Sequence, residues 1–327
     1  MTDNSLDVDE DDAVLYGRLD SVKPLIDALS CIYSPAHKGQ DVTMTSHETH
    51  GGIRFTVEEA GCLLASVILP RRAFVEFRCG DASVRLRLNL SLLIDCLNIF
   101  GSSSAERFSA AVQIRYAGAG APLVVRLRDG EADSVCELNT LDCDEGDDTD
   151  FRFHAHDMVN MAVVDSDALR DAMAELDYGG ATTAELRMAP EPPRFRLSSP
   201  AWTVGLLGAR GAEEEEEAAV CTVVLADPTD RRTDTFQAFQ SRRMQTASYK
   251  LEHLGRCVKA LGLSESCKVE MNAMGMVSIM CRMRGGEDGG GGVLDRCFVE
   301  FVVVAQEIEE DEDGDRDEDE GQGLGLE

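Results

Sequence analysis

The sequence of 327 residues has no apolar run of the ~18–20 residues that a membrane-spanning helix needs. Its first twelve residues, MTDNSLDVDEDD, are acidic and lack the apolar stretch of a secretory signal peptide. These two absences predict an intracellular protein that is not bound to a membrane.

Motifs for metal binding and for covalent catalysis are also lacking. None of the eleven cysteines forms a C-x-x-C pair. His47 and His50 are one residue closer than the two histidines of H-E-x-x-H, and the His154-x-His156 pair is an equally weak signal. No P-loop, nucleophile elbow or Cys/His dyad motif is present. We therefore expect reduced core thiols, no metal, no cofactor and no enzymatic activity.

Positive charge is scarce relative to negative charge, and the chain has a formal net charge of −30. Four segments hold nearly all of this negative charge: residues 1–12 carry −6, residues 142–150 carry −6, residues 213–217 carry −5 and residues 307–327 carry −11. The remainder therefore carries only −2, and the acids are predicted to lie in solvated termini, a linker and a loop. The folded part is close to neutral, so nucleic-acid binding is not excluded.

What the sequence does contain is a fourfold repeat. Four amphipathic segments are predicted to be helices: Ser21–Ile32, Leu90–Phe100, Ser166–Leu176 and Tyr249–Leu261. Each follows a short β-like piece and precedes three alternating segments rich in Val, Ile, Thr and Phe. The predicted unit is β-α-β-β-β, repeated four times.

The repeat predicts an α+β protein with two similar domains, each of two units, with paired helices on one face of an antiparallel sheet. The acidic stretch near the middle marks the linker between equal halves. The predicted divisions are a disordered acidic N-terminus (1–12), a first domain (13–141), an interdomain connector (142–150), a second domain (151–306, with loop insertions near 209–219 and 285–292) and a disordered acidic tail (307–327).

The second helix, in NLSLLIDCLNIFGSSS, is apolar almost all round. Its polar residues Ser91, Asp95 and Asn98 recur at i, i+4 and i+7, which predicts a single narrow polar stripe. Gly101 and the serines around it are predicted to end the helix. A core helix of any globular protein would show the same pattern.

Several stretches resemble one family. They are ASVRLRLNLSLLIDCLNIFGSSS, GIRFTVEEAGCLLASVILPRRAFVEF, SDALRDAMAELD and PRFRLSS. Together with the repeat, the connector and the acidic tail, they resemble the sliding DNA clamps (the PCNA-like family), and most closely the Rad-one subunits of the nine-one-one checkpoint clamp. The similarity runs from about Leu15 to Val304.

The resemblance implies a ring of three two-domain subunits around duplex DNA, with the helices facing the hole. It implies a heterotrimer with two paralogous subunits, a dedicated clamp loader, and a scaffolding role for checkpoint and repair proteins in the nucleus. No small-molecule substrate and no covalent chemistry follow from it.

Within that ring, basic residues on the helices and at one rim are expected to face DNA phosphates. They are Lys23, Arg170, Lys250, His253, Arg256, Lys259, Arg71 and Arg72. Ser91, Asp95 and Asn98 would face the hole without positive charge, where the homotrimeric clamps carry lysines. Weak, uneven DNA contact is therefore expected, although the basic positions also fit an ordinary solvated surface.

The family topology also implies which strands join neighbouring subunits. In the first domain the edge strand is Asp133–Leu141, with Asp133, Val135, Glu137 and Leu138; in the second it is Ala201–Gly208, with Ala201, Trp202, Val204 and Leu206. A buried or loop-capped strand is the alternative. Partner peptides are expected beside the connector residues Leu141, Asp142, Asp144 and Glu145, which equally fit a plain solvated linker.

Three other functions compete with the heterotrimeric clamp. A homotrimeric processivity clamp would place three cation-poor helices around its hole. A metal-dependent 3'-5' exonuclease needs acids that converge on a pocket, whereas these acids cluster in low-complexity segments. An acidic histone-binding chaperone would explain the tail but not the repeat.

Overall fold

The computed structural model describes residues 13–37, 39–46, 51–80, 83–99, 110–143, 151–177, 181–200, 220–225, 234–284 and 297–306. These residues form α-helices and antiparallel strands. The helices are α1 (Lys23–Ile32), α2 (Leu90–Leu97), α3 (Ser166–Asp177), α4 (Leu251–Gly255) and α5 (Val258–Gly262). Short 3-10 helices span Arg71–Ala73 and Phe153–Ala155.

The strands of the first half are β1 (Leu15–Leu19), β2 (Asp41–Ser46), β3 (Gly52–Glu59), β4 (Leu63–Pro70), β5 (Glu76–Cys79), β6 (Val84–Asn89), β7 (Ala111–Tyr116), β8 (Leu123–Asp129) and β9 (Ala132–Leu138). Those of the second half are β10 (Met158–Asp165), β11 (Thr183–Met188), β12 (Phe195–Pro200), β13 (Val220–Val224), β14 (Phe236–Ser241), β15 (Gln245–Lys250), β16 (Ser264–Asn272), β17 (Val277–Met283) and β18 (Phe298–Val303).

The predicted α+β class and its fourfold β-α-β-β-β unit are confirmed. The units are β1-α1-β2-β3-β4, β6-α2-β7-β8-β9, β10-α3-β11-β12-β13 and β15-α4-α5-β16-β17-β18, with β5 and β14 as additional strands. Buried and less buried residues alternate along β2, β6 and β7, as expected for strands with one face on a core. The predicted insertions near 209–219 and 285–292 lie outside the described residues.

Three antiparallel sheets hold these strands. A five-stranded sheet has the order β5-β1-β7-β8-β9, and a four-stranded sheet has the order β13-β12-β11-β15. The largest has nine strands in the order β14-β10-β16-β17-β18-β4-β3-β2-β6. Because its first five strands come from the second half of the chain and its last four from the first, this sheet joins the halves.

The junction within the nine-stranded sheet is the pairing of β4 with β18. The register runs from Leu63 opposite Val303 to Ile68 opposite Phe298. Glu300 lies in this register opposite Ser66 and is only 2% exposed. Its carboxylate accepts from the Ser278 hydroxyl at 3.0 Å and lies 3.7 Å from the Arg54 guanidinium, so the buried charge has polar partners.

The second helix begins at Leu90 as predicted, but it ends at Leu97 and not at Phe100. The side chain of Asn89 accepts from the Leu92 N–H at 3.0 Å and caps α2. The predicted fourth helix is in fact two short helices. The N–H groups of Arg256 and Cys257 bond three residues back, to His253 and Leu254, so the regular helix is interrupted between α4 and α5.

The start of the fourth helix also differs. Tyr249 and Lys250, predicted to be helical, pair instead with Ala184 and Thr183 of β11. They therefore end strand β15, and the helix begins at Leu251, two residues later than predicted.

Candidate DNA-facing layer and subunit edges

The helices form one continuous layer. α1 contacts α2 on one side and α5 on the other, and α5 also contacts α3. α1 packs on β3, β4 and β18, while α3 and α5 pack on β16. Helices of both halves, α1, α3 and α5, therefore pack on the same nine-stranded sheet, whereas α2 also contacts β8 and β9 and α4 contacts β11 and β15. The lateral order of the layer is α2, α1, α5, α3.

Two basic side chains of the fourth repeat form hydrogen bonds with the first half of the chain. The Lys259 amine donates to the Ser30 carbonyl at 2.8 Å, and the Arg256 guanidinium donates to the Ile32 carbonyl at 3.1 Å. Both carbonyls lie at the C-terminal end of α1, where backbone oxygens lack helical partners and the helix dipole is negative. The two cations, predicted to face DNA, therefore donate hydrogen bonds to the C-terminal end of α1 and link the two halves of the chain.

Arg256 is also tied to an acid of the first half. Its Nε lies 3.5 Å from the Glu59 carboxylate, and the two side chains are 18% and 23% exposed. Sequence reasoning missed Glu59, because nothing local connects a strand end in the first repeat with a helix in the fourth.

The remaining predicted DNA-facing residues differ in accessibility. His253 is only 7% exposed, so the expectation that it faces DNA is corrected: it lies in the short helix α4, on the buried side with Leu251 and Leu254. Arg170 pairs with Asp167 at 2.7 Å and Asp171 at 3.0 Å, and the Asp171 hydrogen bond is the main cause that raises the pKa of Arg170. Lys23 and Lys250 are exposed.

The predicted basic rim is a 3-10 turn after β4. Arg71 and Arg72 are both exposed there. The Arg71 guanidinium lies 6.0 Å from the centre of the Phe77 ring, which orients it without neutralising its charge.

The exposed face of α2 is less polar than its sequence stripe predicts. Asp95 and Asn98 are exposed, but Ser91 is half-buried and its hydroxyl donates to Asn89 at 2.8 Å. Leu92 and Ile99 are 54% and 53% exposed on the same segment. The helix therefore presents apolar side chains beside its acid, and it has no cation.

β9 is the outer strand of the five-stranded sheet, at the place predicted for a subunit edge. Val135 is 46% exposed and Glu137 is exposed, whereas Leu138 is 7% exposed and belongs to the core, so a neighbouring chain has little access to it. Asp133 accepts from Arg126 at 3.0 Å, and this hydrogen bond lowers the pKa of Asp133.

The second predicted edge strand, with Ala201, Trp202, Val204 and Leu206, lies outside the described residues. Among those described, the four-stranded sheet has β13 and β15 as its outer strands, and Val224 of β13 is 53% exposed.

The connector begins with a backbone pairing. Leu141 and Arg87 of β6 exchange two N–H to carbonyl bonds of 2.7 and 2.9 Å, and the Leu141 side chain is 54% exposed. Asp142 is exposed, while Asp144 and Glu145 lie outside the described residues.

No group of three or more His, Cys, Asp or Glu side chains in the described part of the chain is placed to hold a metal ion. Within the same residues, none of the helices has the length and apolarity to cross a membrane.

Two related halves with one helix layer on antiparallel sheets define a protein of the PCNA-like sliding-clamp fold. The chain belongs to the family described as repair protein Rad1/Rec1/Rad17, whose model matches residues 14–283.

Three relatives illustrate the likeness. The Homo sapiens "cell cycle checkpoint protein RAD1" is 33% identical over 300 residues, which cover 91% of this chain and 94% of the relative. The Drosophila melanogaster "DNA repair protein Rad1" is 24% identical over 296 residues, which cover 90% of this chain and 94% of the relative. The Schizosaccharomyces pombe "DNA damage checkpoint control protein rad1" is 25% identical, with 80% of each covered.

Proposed function

We propose that this chain is one subunit of a heterotrimeric, ring-shaped clamp that encircles duplex DNA in the DNA damage checkpoint and in DNA repair. Rad1 proteins are subunits of the nine-one-one clamp, and the family assignment covers most of the chain. The observation that carries the proposal is the single helix layer across both halves. The family assignment does not favour the homotrimeric clamp or the exonuclease.

In this proposal the two halves act as the domains 13–141 and 151–306, joined by the connector. The helix layer faces DNA, with Lys23 and Lys250 among its exposed cations and Arg71 and Arg72 at one rim. Contact with phosphates is weak, because the acid-paired Arg170 and the α1-bound cations are largely occupied within the chain.

Two paralogous subunits are proposed to pair with the exposed edges, one of which is β9. Strand addition there would satisfy the free backbone groups of the outer strand. The chain is proposed to act by binding and not by catalysis, to require no cofactor, to meet a clamp loader and repair proteins, and to work in the nucleus.

The first experiment is the solution mass of the purified chain, alone and co-expressed with the two clamp paralogues. A monomer that enters a one-to-one-to-one complex is expected. A stable trimer of this chain alone would refute the heterotrimer and leave the homotrimeric clamp as the better account.

A further inference from the structure

A cavity of about 770 Å³ lies between α3 and the pair α4 and α5. Its lining includes the apolar side chains of Met173, Leu251 and Val258. The charged residues of the lining are Lys250 and Glu252. Such a mainly apolar space with few polar groups is suited to an apolar side chain.

The described part of the chain ends at this cavity. The Gln306 N–H donates to the Ser248 carbonyl of β15 at 2.7 Å, and the Val304 N–H donates to the Cys62 carbonyl at 2.9 Å. These bonds fix the path of the chain after β18, and Gln306 itself lines the cavity. The sequence that follows therefore starts beside the cavity.

That following segment, EIEEDEDGDRDEDEGQGLGLE, has one apolar residue among its first seventeen, namely Ile308. An extended chain advances ~3.3–3.6 Å per residue, so Ile308 is within about 7 Å of Gln306 along the backbone. The next apolar side chain is Leu324, sixteen residues further on. Ile308 is thus the one apolar residue of the tail that starts within reach.

We propose that Ile308 inserts into this cavity and anchors the acidic tail, residues 307–327, over the helix layer of the second half. The occupant is a segment of the same chain, tethered at the cavity. Tethering of this kind corresponds to an effective concentration in the millimolar range, so the anchor needs much less affinity than a free peptide would.

Charge contributes less than apolar contact to the docking. Lys250 is exposed and attracts the acids that flank Ile308, whereas Glu252 on the same lining repels them. Because the two charges oppose each other, added salt is expected to change the docking little.

The docked tail has a consequence that rests on the proposed function. Ten acids lie between Glu309 and Glu320, and docking places this polyanion on the layer proposed to face DNA. Phosphates and the tail would then compete for the same surface, so the tail lowers the affinity of the clamp for DNA.

The test compares the full-length wild type with Ile308→Ser and with Leu324→Ser, which makes the same kind of change elsewhere in the tail. Amide hydrogen exchange of Leu251–Val258 is measured by mass spectrometry. We expect exchange several-fold faster in Ile308→Ser and unchanged in Leu324→Ser. Equal exchange in all three proteins would overturn the proposal. Protection that falls on dilution would assign the cavity to a second copy and overturn it too.

The competition step is tested in the assembled ring by DNA binding over a salt series. Ile308→Ser is expected to bind several-fold more tightly at low salt, with the difference disappearing at high salt. Unchanged affinity with altered exchange would overturn the competition alone. A wild-type ring that fails to bind DNA would refute the proposed function and leave the exchange result untouched.

Discussion

Replacing Arg256 by Met should destabilise the folded chain. An arginine that only faced DNA could be replaced without loss of stability. The Arg256 guanidinium, 18% exposed, donates to the Ile32 carbonyl at 3.1 Å and faces Glu59 at 3.5 Å. Methionine preserves the apolar stem and removes the charge. The Ile32 carbonyl then loses its donor, and Glu59 is left with the contact to His37 at 3.7 Å.

The magnitude follows from the geometry. A hydrogen bond from a charged group contributes about 1.5–3 kcal/mol. No further contribution is added for the contact with Glu59, because 3.5 Å is long for a hydrogen bond. We therefore expect Arg256→Met to lower the free energy of unfolding by about 2 kcal/mol. Lys259→Met should cost about 1 kcal/mol, because the Lys259 amine is exposed and its attraction is screened.

The assay is equilibrium unfolding in urea with Arg282→Met as the matched control. Arg282 makes its ion pair with Glu265 at the surface, where both side chains are about half exposed, so its loss should cost under about 1 kcal/mol. If the urea midpoint of Arg256→Met falls no further than that of Arg282→Met, the cross-domain role of Arg256 is refuted. Reduced DNA affinity at unchanged stability would restore the DNA-facing assignment.

Three further predictions concern ionisation and assembly. Burial raises the pKa of Asp27 in the folded state, so ionisation of this carboxyl lowers the stability of the fold as the pH rises. In calorimetry, Asp27→Asn should therefore melt at a higher temperature than wild type at pH 7, and this difference should vanish below about pH 4. Burial raises the pKa of Cys31 and Cys297 to about 12, so iodoacetamide should label them at pH 8 only after urea is added; rapid native labelling would contradict this. Val135→Arg on β9 should block heterotrimer formation in size-exclusion chromatography without changing the melting temperature, whereas the equally exposed Val75→Arg, outside β9, should assemble normally.

Local periodicity was sufficient to predict the repeat, because each unit contains its own helix and strand signals. α2 begins at Leu90 as predicted, since Asn89 provides the cap within the same segment. The fourth helix was predicted as continuous because its apolar spacing is helical. Its later start depends on Lys250 pairing with Thr183, a contact across 67 residues that no local pattern records.

The site was less predictable than the fold for the same reason. A helical wheel places Arg256 and Lys259 on an outer arc, but their partners Ser30 and Ile32 belong to the other half of the chain. Sequence therefore identifies which cations the helix layer contains and not what they bind. Leu138 illustrates the converse, because its position on an edge strand suggested exposure, whereas the alternation of β9 places it with Cys136 on the face that packs on the core.

These assignments limit what this subunit contributes to a clamp on DNA. Salt dependence of binding scales with the number of phosphates neutralised, about 0.9 per contact in the logarithmic slope for duplex DNA. Here α2 offers no cation, Arg170 is paired with two acids, and Arg256 and Lys259 bind α1. If all three subunits of a ring made so few phosphate contacts, the DNA affinity would depend little on salt and the ring would be held weakly on DNA. The paralogous subunits should therefore carry most of the phosphate contacts, and charge-removing substitutions on their helices should reduce the slope more than Lys250→Ala does here.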